Sequence, residues 1–469
     1  MFVQQFFVKG IAHSSYLLGG TRNCAIVDPR RDIQIYLDAA KEMGMQITHI
    51  LETHLHADFI SGHLDLAKAT GAKIYAPGQC DFEYVEMTEG ETFSIDDLEI
   101  KVIETPGHTP EHITYIVTDR ARGAEPACIF CGDTLFVGDV GRPDLFPGIA
   151  EELAEKLYHS LHEKLLKLPD FCEVYPAHGA GSLCGRAMGA KRSSTIGYEK
   201  LYNAALQIKN VKEFIASLTT DMPPAPDHFS RCSAINAKGP SLVENLPVLT
   251  PLTPEECKAL SEQEHVIVLD TRDFASFGGL HVPGSYHVDF GGNFATFAAW
   301  VLPPQTDLLL VSENPQQARD AVTWLRRVGL DRVIGYLEGG IFEWGKHGLE
   351  TDHVHQLSTF ALHEKISNGE QLTLVDVRSP KEFEALHIEG AINIPSPDLR
   401  TRYKELPPNL PIVLICGTGH RSSLGCSILK QHGFKDVYNA AGGMTAYNAS
   451  GFSPKCPMCV GPHGPAFLG

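Results

Sequence analysis

Over residues 1–245 the apolar positions fall in short runs closed by polar or turn-forming residues: NCAIVD, ITHILETH, LEIKVIETPGH, ACIFCGD and CEVYPAH. Runs this short and rich in β-branched side chains bury as strands. Between them lie stretches in which apolar and polar positions mix at helical spacing, such as IQIYLDAAKEMG and residues 151–167. The alternation predicts an α/β domain built mostly of sheet.

A proline-rich passage follows, DMPPAPDHFSRC and then AKGPSLVENLPVLTPLTPEE. Proline has no amide hydrogen to donate, so the passage predicts a linker rather than a helix or central strand.

Beyond it the pattern repeats. VIVLDTRDFASFGGLHVPGSYHV (266–288) matches LTLVDVRSPKEFEALHIEGAINI (372–394), with Asp270, Arg272, His281 and Gly284 answering to Asp376, Arg378, His387 and Gly390 at an offset of 106. Further on, Gly329 and Gly433 close equivalent helices at an offset of 104. Each copy reads as strand, loop, helix, strand, which predicts two parallel α/β units of about 100 residues. The expected division is 1–245, 246–352, 353–455 and a tail, 456–469.

A length of 469 residues suits such a division. Apolar residues at 43% and charged residues at 20% indicate packed domains throughout. A formal charge of −18 without a Lys/Arg run argues against nucleic-acid binding. The sequence shows neither a basic leader with an apolar core nor a long uncharged apolar span, so a protein without a membrane segment and a cytoplasmic location are expected. The 12 cysteines are scattered, several inside strand-like runs, as reduced thiols would be.

Four strand-like runs end in groups that bind metals. Thr53-His54-Leu55-His56-Ala57-Asp58 follows ITHILE, His108 follows IKVIETPG, Asp133 follows ACIFCG and His178 follows CEVYPA. Strand ends on one sheet edge bring distant residues together, and converging imidazoles and carboxylates are what a first-row transition metal requires. Gly107 and Gly132 precede two of these groups, where the backbone must turn tightly.

On THLHADFISG, ETPGHTPEH, CGDTLF, GRPD and PAHG, the first 240 or so residues resemble the metallo-β-lactamase superfamily, and within it the persulfide dioxygenases. The resemblance implies an αββα sandwich. It also implies one Fe(II) per chain held by His54, His108 and Asp133, a facial triad that leaves coordination positions open for a persulfide and O₂. His56, Asp58 and His178 would then orient the ligands and pass protons, or serve as alternative ligands. Hydrolases of the superfamily read H-x-H-x-D-H and use the last His for a second zinc; here that position is Phe59. Arg192 and Ser194, with Ser193 and Thr195 beside them, are candidates for holding an anionic thiol carrier, and Cys184 for a place near the substrate channel.

In the last unit, Cys416-Gly417-Thr418-Gly419-His420-Arg421-Ser422 lies between the strand PIVLI and a helix. Backbone amides curled at a helix N-terminus stabilise an anion, and with Arg421 nearby they favour the Cys416 thiolate. The run resembles the rhodanese loop C-x-x-G-x-R-[ST], six positions from Cys to Arg where phosphatase loops have seven. The resemblance implies parallel α/β folds for both copies and a sulfur-transferring Cys416. The earlier copy has Ser312 at the equivalent position and no loop glycine, so it predicts a structural spacer and docking surface. The pair Cys456 and Cys459 carries no assignment.

Together these resemblances imply an iron persulfide dioxygenase that oxidises a low-molecular-weight thiol persulfide with O₂ to sulfite and thiol, coupled to sulfur transfer that makes or uses thiosulfate. The alternative is a dinuclear zinc thioester hydrolase of the glyoxalase II type fused to a sulfurtransferase. Glutathione, coenzyme A and bacillithiol remain open as the thiol, and a homo-oligomer is expected.

Overall fold

Leu17 and Leu18 are neighbours in strand His13–Gly19, yet they enter different cores, because successive side chains of a strand point to opposite faces. Leu18 joins Tyr16, Ala25 and Val27 against Ile100, Val102, Tyr115 and Phe130 of a second sheet. Leu17 joins Cys24 and Ile26 against Tyr36, Ala39 and Leu66, which sit on or beside helices Gln34–Glu42 and His63–Thr70. On the far side of the second sheet, Ile103, Ile116, Ile129 and Val174 pack on Leu157, Leu161, Leu165 and Phe214. The layers therefore run helix, sheet, sheet, helix. Each fully buried Leu or Ile contributes roughly 1.5–3 kcal/mol.

The computed structural model describes residues 1–453 apart from 187, 221, 223, 224 and 292. Cys456 and Cys459 lie outside the described residues. The described chain divides into two compact units, Met1–Leu246 with Arg326–Gly329, and Pro247–Leu325 with Leu330 onward.

In the first unit one sheet runs Phe2–Val8, His13–Gly19, Asn23–Val27, Gln46–Leu51, Lys73–Ala76, Val85–Glu86. The other runs Ser194–Thr195, Glu173–Pro176, Cys128–Gly132, Ile113–Asp119, Leu98–Glu104, Thr92–Ile95. Strands Gln46–Leu51, Leu98–Glu104, Cys128–Gly132 and Glu173–Pro176 lead directly into His54, His108, Asp133 and His178.

The passage read as a linker is in part a helix. His228–Lys238 is α-helical, and His228, Phe229, Cys232 and Asn236 are buried. The prolines lie outside residues 228–238, so local sequence does not forbid the helix, and burial of one face holds it. Asn236 Nδ2 donates to the carbonyls of His56 and Phe59, both at 2.8 Å, and its Oδ1 accepts from Ser61 N at 2.9 Å. The helix thus braces the loop that carries the H-x-H-x-D run.

In the second unit the repeat appears as two five-stranded sheets of identical order. One runs Thr250–Leu252, Val333–Leu337, Asp307–Val311, Val266–Asp270, Tyr286–His287; the other runs His355–Ser358, Val437–Ala441, Ile412–Ile415, Thr373–Asp376, Ile392–Asn393. All the pairings are parallel. The repeated Asp-x-Arg closes on itself in each copy. Arg272 forks Asp270 and donates to Leu280 O, and Arg378 forks Asp376 and donates to Leu386 O. Gly329 and Gly433, just past the two equivalent helices, take φ of 74° and 84°, as helix-ending glycines do.

No helix among the described residues is long and apolar enough to cross a membrane. The described cysteines are free thiols.

Candidate metal centre and sulfur-transfer loop

His54, His108 and Asp133 converge. Each offers one ligand atom, these atoms lie within 4.8 Å of one another, and all three residues are buried. His54 Nε2 and His108 Nε2 stand 3.8 and 3.3 Å from Asp133 Oδ2. Neither nitrogen has a hydrogen-bond partner among the described residues, and two orphaned buried acceptors facing one carboxylate fit a bound cation. The opposite ring nitrogens are tied down. His108 Nδ1 donates to Arg142 O at 2.9 Å, and His54 Nδ1 lies 3.0 Å from Thr53 Oγ1. Such outer bonds fix the tautomer and aim Nε2 inward.

Burial lowers both imidazoles, His54 well below its ordinary range and further through His56 and His112, His108 against the opposing pull of Asp133. They are neutral and ready to ligate. Burial would raise Asp133, but His178 and His108 overturn that and hold it far below the usual carboxylate range.

Gly132 explains how Asp133 reaches the centre. Its φ is 48°, and a Cβ there would meet His112 Nε2 and Thr53 Oγ1 at 2.5 Å. Gly107, at φ 149°, lies so close to Leu157 that a Cβ would stand 2.6 Å from its Cα.

His56 is close in sequence but turned away. Its Nε2 faces Asp28 Oδ1 at 3.1 Å and Glu52 Oε2 at 3.6 Å, and these carboxylates, against the burial that would lower it, raise its pKa. His56, Asp28 and Glu52 form a buried group of their own, apart from His54, His108 and Asp133. Phe59 is fully buried with its ring 4.0 Å from that of His13 and 4.4 Å from that of His56.

His178 sits between two carboxylates. Nδ1 is hydrogen-bonded to Asp133 Oδ1 at 2.8 Å, and Nε2 is 2.8 Å from Asp58 Oδ2. Burial would lower its pKa; Asp133 and Asp58 overturn that and raise it well above the usual value. Cys184 joins Asp58 and His178 in a second buried group of ligand atoms, which brings it beside the centre. Arg192 and Ser194 have other partners. Arg192 lies over the Phe7 ring at 4.1 Å, and Ser194 Oγ donates to Glu199 at 2.5 Å, while Thr195 caps helix Ile196–Tyr202.

Sequence reasoning missed several neighbours. His112 stacks on His54 at 4.7 Å, and its Nε2 accepts from Asp133 N at 2.9 Å; burial lowers its pKa to about 3, so the ring is neutral. Asp28 Oδ1 accepts from Thr53 N at 2.8 Å. His13 is buried against His56, Phe59 and His178. His112 was visible as the last residue of ETPGHTPEH; His13 and Asp28 lie in runs with no metal-ligand spacing.

In the second unit, Cys416 directly follows strand Ile412–Ile415 and is 1% exposed. Gly419 N donates to its Sγ at 3.1 Å and Ser422 Oγ at 3.3 Å. Gly419, at φ 114°, caps helix His420–Gln431, so loop amides and helix N-terminus face the sulfur together. Arg421 does not reach Sγ by a hydrogen bond; it forks Glu382 at 2.8 and 2.7 Å. Gly417 and Thr418 complete the turn.

The earlier copy has closed this pocket. Ser312 Oγ is 2.8 Å from Thr271 Oγ1. Gln317, standing where Arg421 stands in the other copy, puts Oε1 2.8 Å from Glu313 N. A side-chain oxygen occupies the amide that would bind an anion.

Residues 8–178 match the metallo-beta-lactamase superfamily, and residues 253–347 and 359–450 match the rhodanese-like domain. The mitochondrial persulfide dioxygenase of Bos taurus is 28% identical over 245 residues, 48% of this chain and 84% of that protein. The hydroxyacylglutathione hydrolase of Rhodospirillum rubrum is 38% identical over 162 residues, 34% of this chain and 58% of that protein. The crystal structure of a metallo-beta-lactamase from Staphylococcus aureus subsp. aureus COL superposes with a TM-score of 0.65 at 34% identity, covering 72% of this chain and 98% of that one.

Proposed function

The chain belongs to the metallo-β-lactamase superfamily and carries two rhodanese-like domains behind that fold, and from this we propose that it is an iron persulfide dioxygenase coupled to a sulfurtransferase. The observation that carries the reading is the division of labour among the histidines. His54 and His108 aim Nε2 at Asp133, whereas His56 Nε2 faces Asp28 and Glu52 instead, and Phe59 stands where the two-metal hydrolases carry a ligating His.

His54, His108 and Asp133 would hold iron, which when bound supplies open coordination positions and electron transfer to O₂. The overall reaction is RSSH + O₂ + H₂O → RSH + SO₃²⁻ + 2H⁺, in which the persulfide gives four electrons to dioxygen. The chain's own groups do the rest. Thr53, Arg142 O and His112 keep the triad in register. His178, hydrogen-bonded to Asp133 and paired with Asp58, bridges the two carboxylates and orients Asp133. Phe59 and His13 keep bulk water from that side.

In the second unit Cys416 would carry a sulfane sulfur as a persulfide, stabilised as an anion by Gly419 N and Ser422 Oγ. Sulfite attacks the outer sulfur, the S–S bond to Cys416 breaks, and thiosulfate leaves with the thiolate restored. The earlier copy has Ser312 in place of the loop cysteine and no free amide pocket, so that loop would carry no sulfur.

A second reading, a two-metal thioester hydrolase, draws on the Asp58, His178 and Cys184 group and on the hydrolase relatives. Against it, Phe59 stands where the two-metal hydrolases carry a ligating His.

The test is oxygen uptake by iron-loaded protein given glutathione persulfide, with sulfite and thiosulfate measured in wild type and Cys416→Ser. The reading expects oxygen uptake in both, and enzyme-dependent thiosulfate only in wild type. Thioester turnover without oxygen uptake would replace it with the hydrolase.

A further inference from the structure

The two rhodanese-like copies are not interchangeable where they meet. Helix His420–Gln431, which starts at the sulfur-transfer loop, docks on the earlier copy along one face. Ser423 Oγ is 2.9 Å from His287 Nδ1, Ser427 Oγ accepts from His287 N at 3.0 Å, and all three residues are fully buried. At the loop end of this face, His420 Nδ1 donates to Asp289 Oδ2 at 2.8 Å, and the Phe274 ring meets His420 edge-on at 5.1 Å. Phe274 also approaches Gly419, where a Cβ would stand 3.3 Å from its ring.

The repeat isolates these residues. At the offsets that align the copies, Asp289 answers to Pro395, Phe274 to Pro380 and His420 to Gln316. The reverse contact, from the last copy to the closed loop of the first, therefore lacks every one of its chemical groups. The asymmetry follows the chemistry: the clamp exists only at the loop that has a cysteine.

We propose that Asp289 of the earlier rhodanese-like copy is a positioning residue for the sulfur-transfer loop, fixing His420 at the loop rim as a cation that favours anionic sulfur donors such as thiosulfate. The inference rests on the sulfurtransferase reading of Cys416. His420 lies between Gly419, whose amide donates to Cys416 Sγ, and Arg421, whose charge is closed on Glu382. With Arg421 engaged, His420 is the cationic side chain of the loop left facing solvent, its side chain 53% exposed. An incoming dianion meets it before the buried sulfur.

The hydrogen bond to Asp289 raises the His420 pKa, partly opposed by burial, and Asp273 adds to the rise. The charged groups facing the ring are Asp289 and Asp273, with Arg421 on its own helix. Strands Ile412–Ile415 and Val437–Ala441 bring none, and His287 on Tyr286–His287 is occupied by Ser423 and Arg272 O. His420 is charged below its raised pKa and neutral above it, so anion capture falls as pH rises through that value, and removing Asp289 moves the fall to lower pH.

The test uses the full chain and steady-state transfer from thiosulfate to cyanide. The Cys416 thiolate attacks the outer sulfur of thiosulfate and sulfite leaves; cyanide then takes that sulfur as thiocyanate and the thiolate returns. For Asp289→Asn we expect KM for thiosulfate to rise roughly three- to fivefold, kcat to hold, and the alkaline limb of kcat/KM to move down by about half a pH unit, the size of one partly exposed ion pair. Asp289→Glu restores both, and His420→Gln, which inserts the other copy's residue, removes the limb. Should Asp289→Asn not fold, His420→Gln carries the same readout. An unchanged KM and limb, with Cys416→Ser inactive, overturns the inference alone. Lower kcat and thermal stability with an unmoved limb reduces Asp289 to a structural contact and also overturns it. Full activity in Cys416→Ser overturns the sulfurtransferase reading and this inference with it.

Discussion

Glu382→Gln separates the charge of the loop's ion pair from everything else Glu382 does. Glu382 accepts the Arg421 fork and also closes a capping box with Ser379 at the start of helix Pro380–Ala385. Glutamine keeps the cap, because it too serves at that position. Burial would raise the Glu382 carboxyl, but Arg421 overturns that and lowers it from 4.5 to about 2. The full difference would correspond to roughly 3.4 kcal/mol. The side chain is 39% exposed, so solvent screening reduces this to about 1–2 kcal/mol. A depressed carboxylate stabilises above its unfolded pKa and loses that effect as pH falls through the folded value. The deficit of Glu382→Gln is thus complete at pH 7, shrinks below pH 4.5 and vanishes near pH 2. Scanning calorimetry of the full chain should show the rhodanese transition lowered by roughly 3–6 °C at pH 7, and by less at pH 3.5. An equal shift at both pH values, or none at pH 7, would refute the assignment of the effect to this pair.

Two further substitutions probe the metal centre. Gly132→Ala places a methyl within 2.5 Å of His112 and Thr53 at a positive φ; a loss of about 3 kcal/mol and of most bound metal is expected, read by thermal unfolding and metal analysis. Phe59→His restores the ligand that the two-metal hydrolases use; metal per chain should rise above one while oxygen uptake with persulfide falls, and unchanged stoichiometry would show that Phe59 does not set it.

Much of the architecture was legible because it is written twice or at strand ends. The Asp-x-Arg repeat could be aligned from sequence since each copy needs the same fork after the same strand. His54, His108, Asp133 and His178 each follow a β-rich run, so topology alone predicts their meeting. What stayed hidden depends on packing. The helix His228–Lys238 lies in a passage that prolines mark as irregular, and it forms because one face is buried. His56 reads as a ligand by spacing, yet Asp28, which turns it away, comes from another strand end. The Arg421 charge appears free in C-x-x-G-x-R until Glu382, thirty-nine residues earlier, is brought to it. Ser194 reads as a group to hold an anionic thiol carrier, and only the fold brings Glu199 to it.

The proposed function requires one redox-active ion gripped by two imidazoles and a carboxylate. Crystals of enzyme purified with its native metal, measured on both sides of the iron absorption edge, test it directly. The account predicts a single anomalous peak that appears only above that edge, between His54, His108 and Asp133. Two peaks, or one that persists below the iron edge, would contradict it.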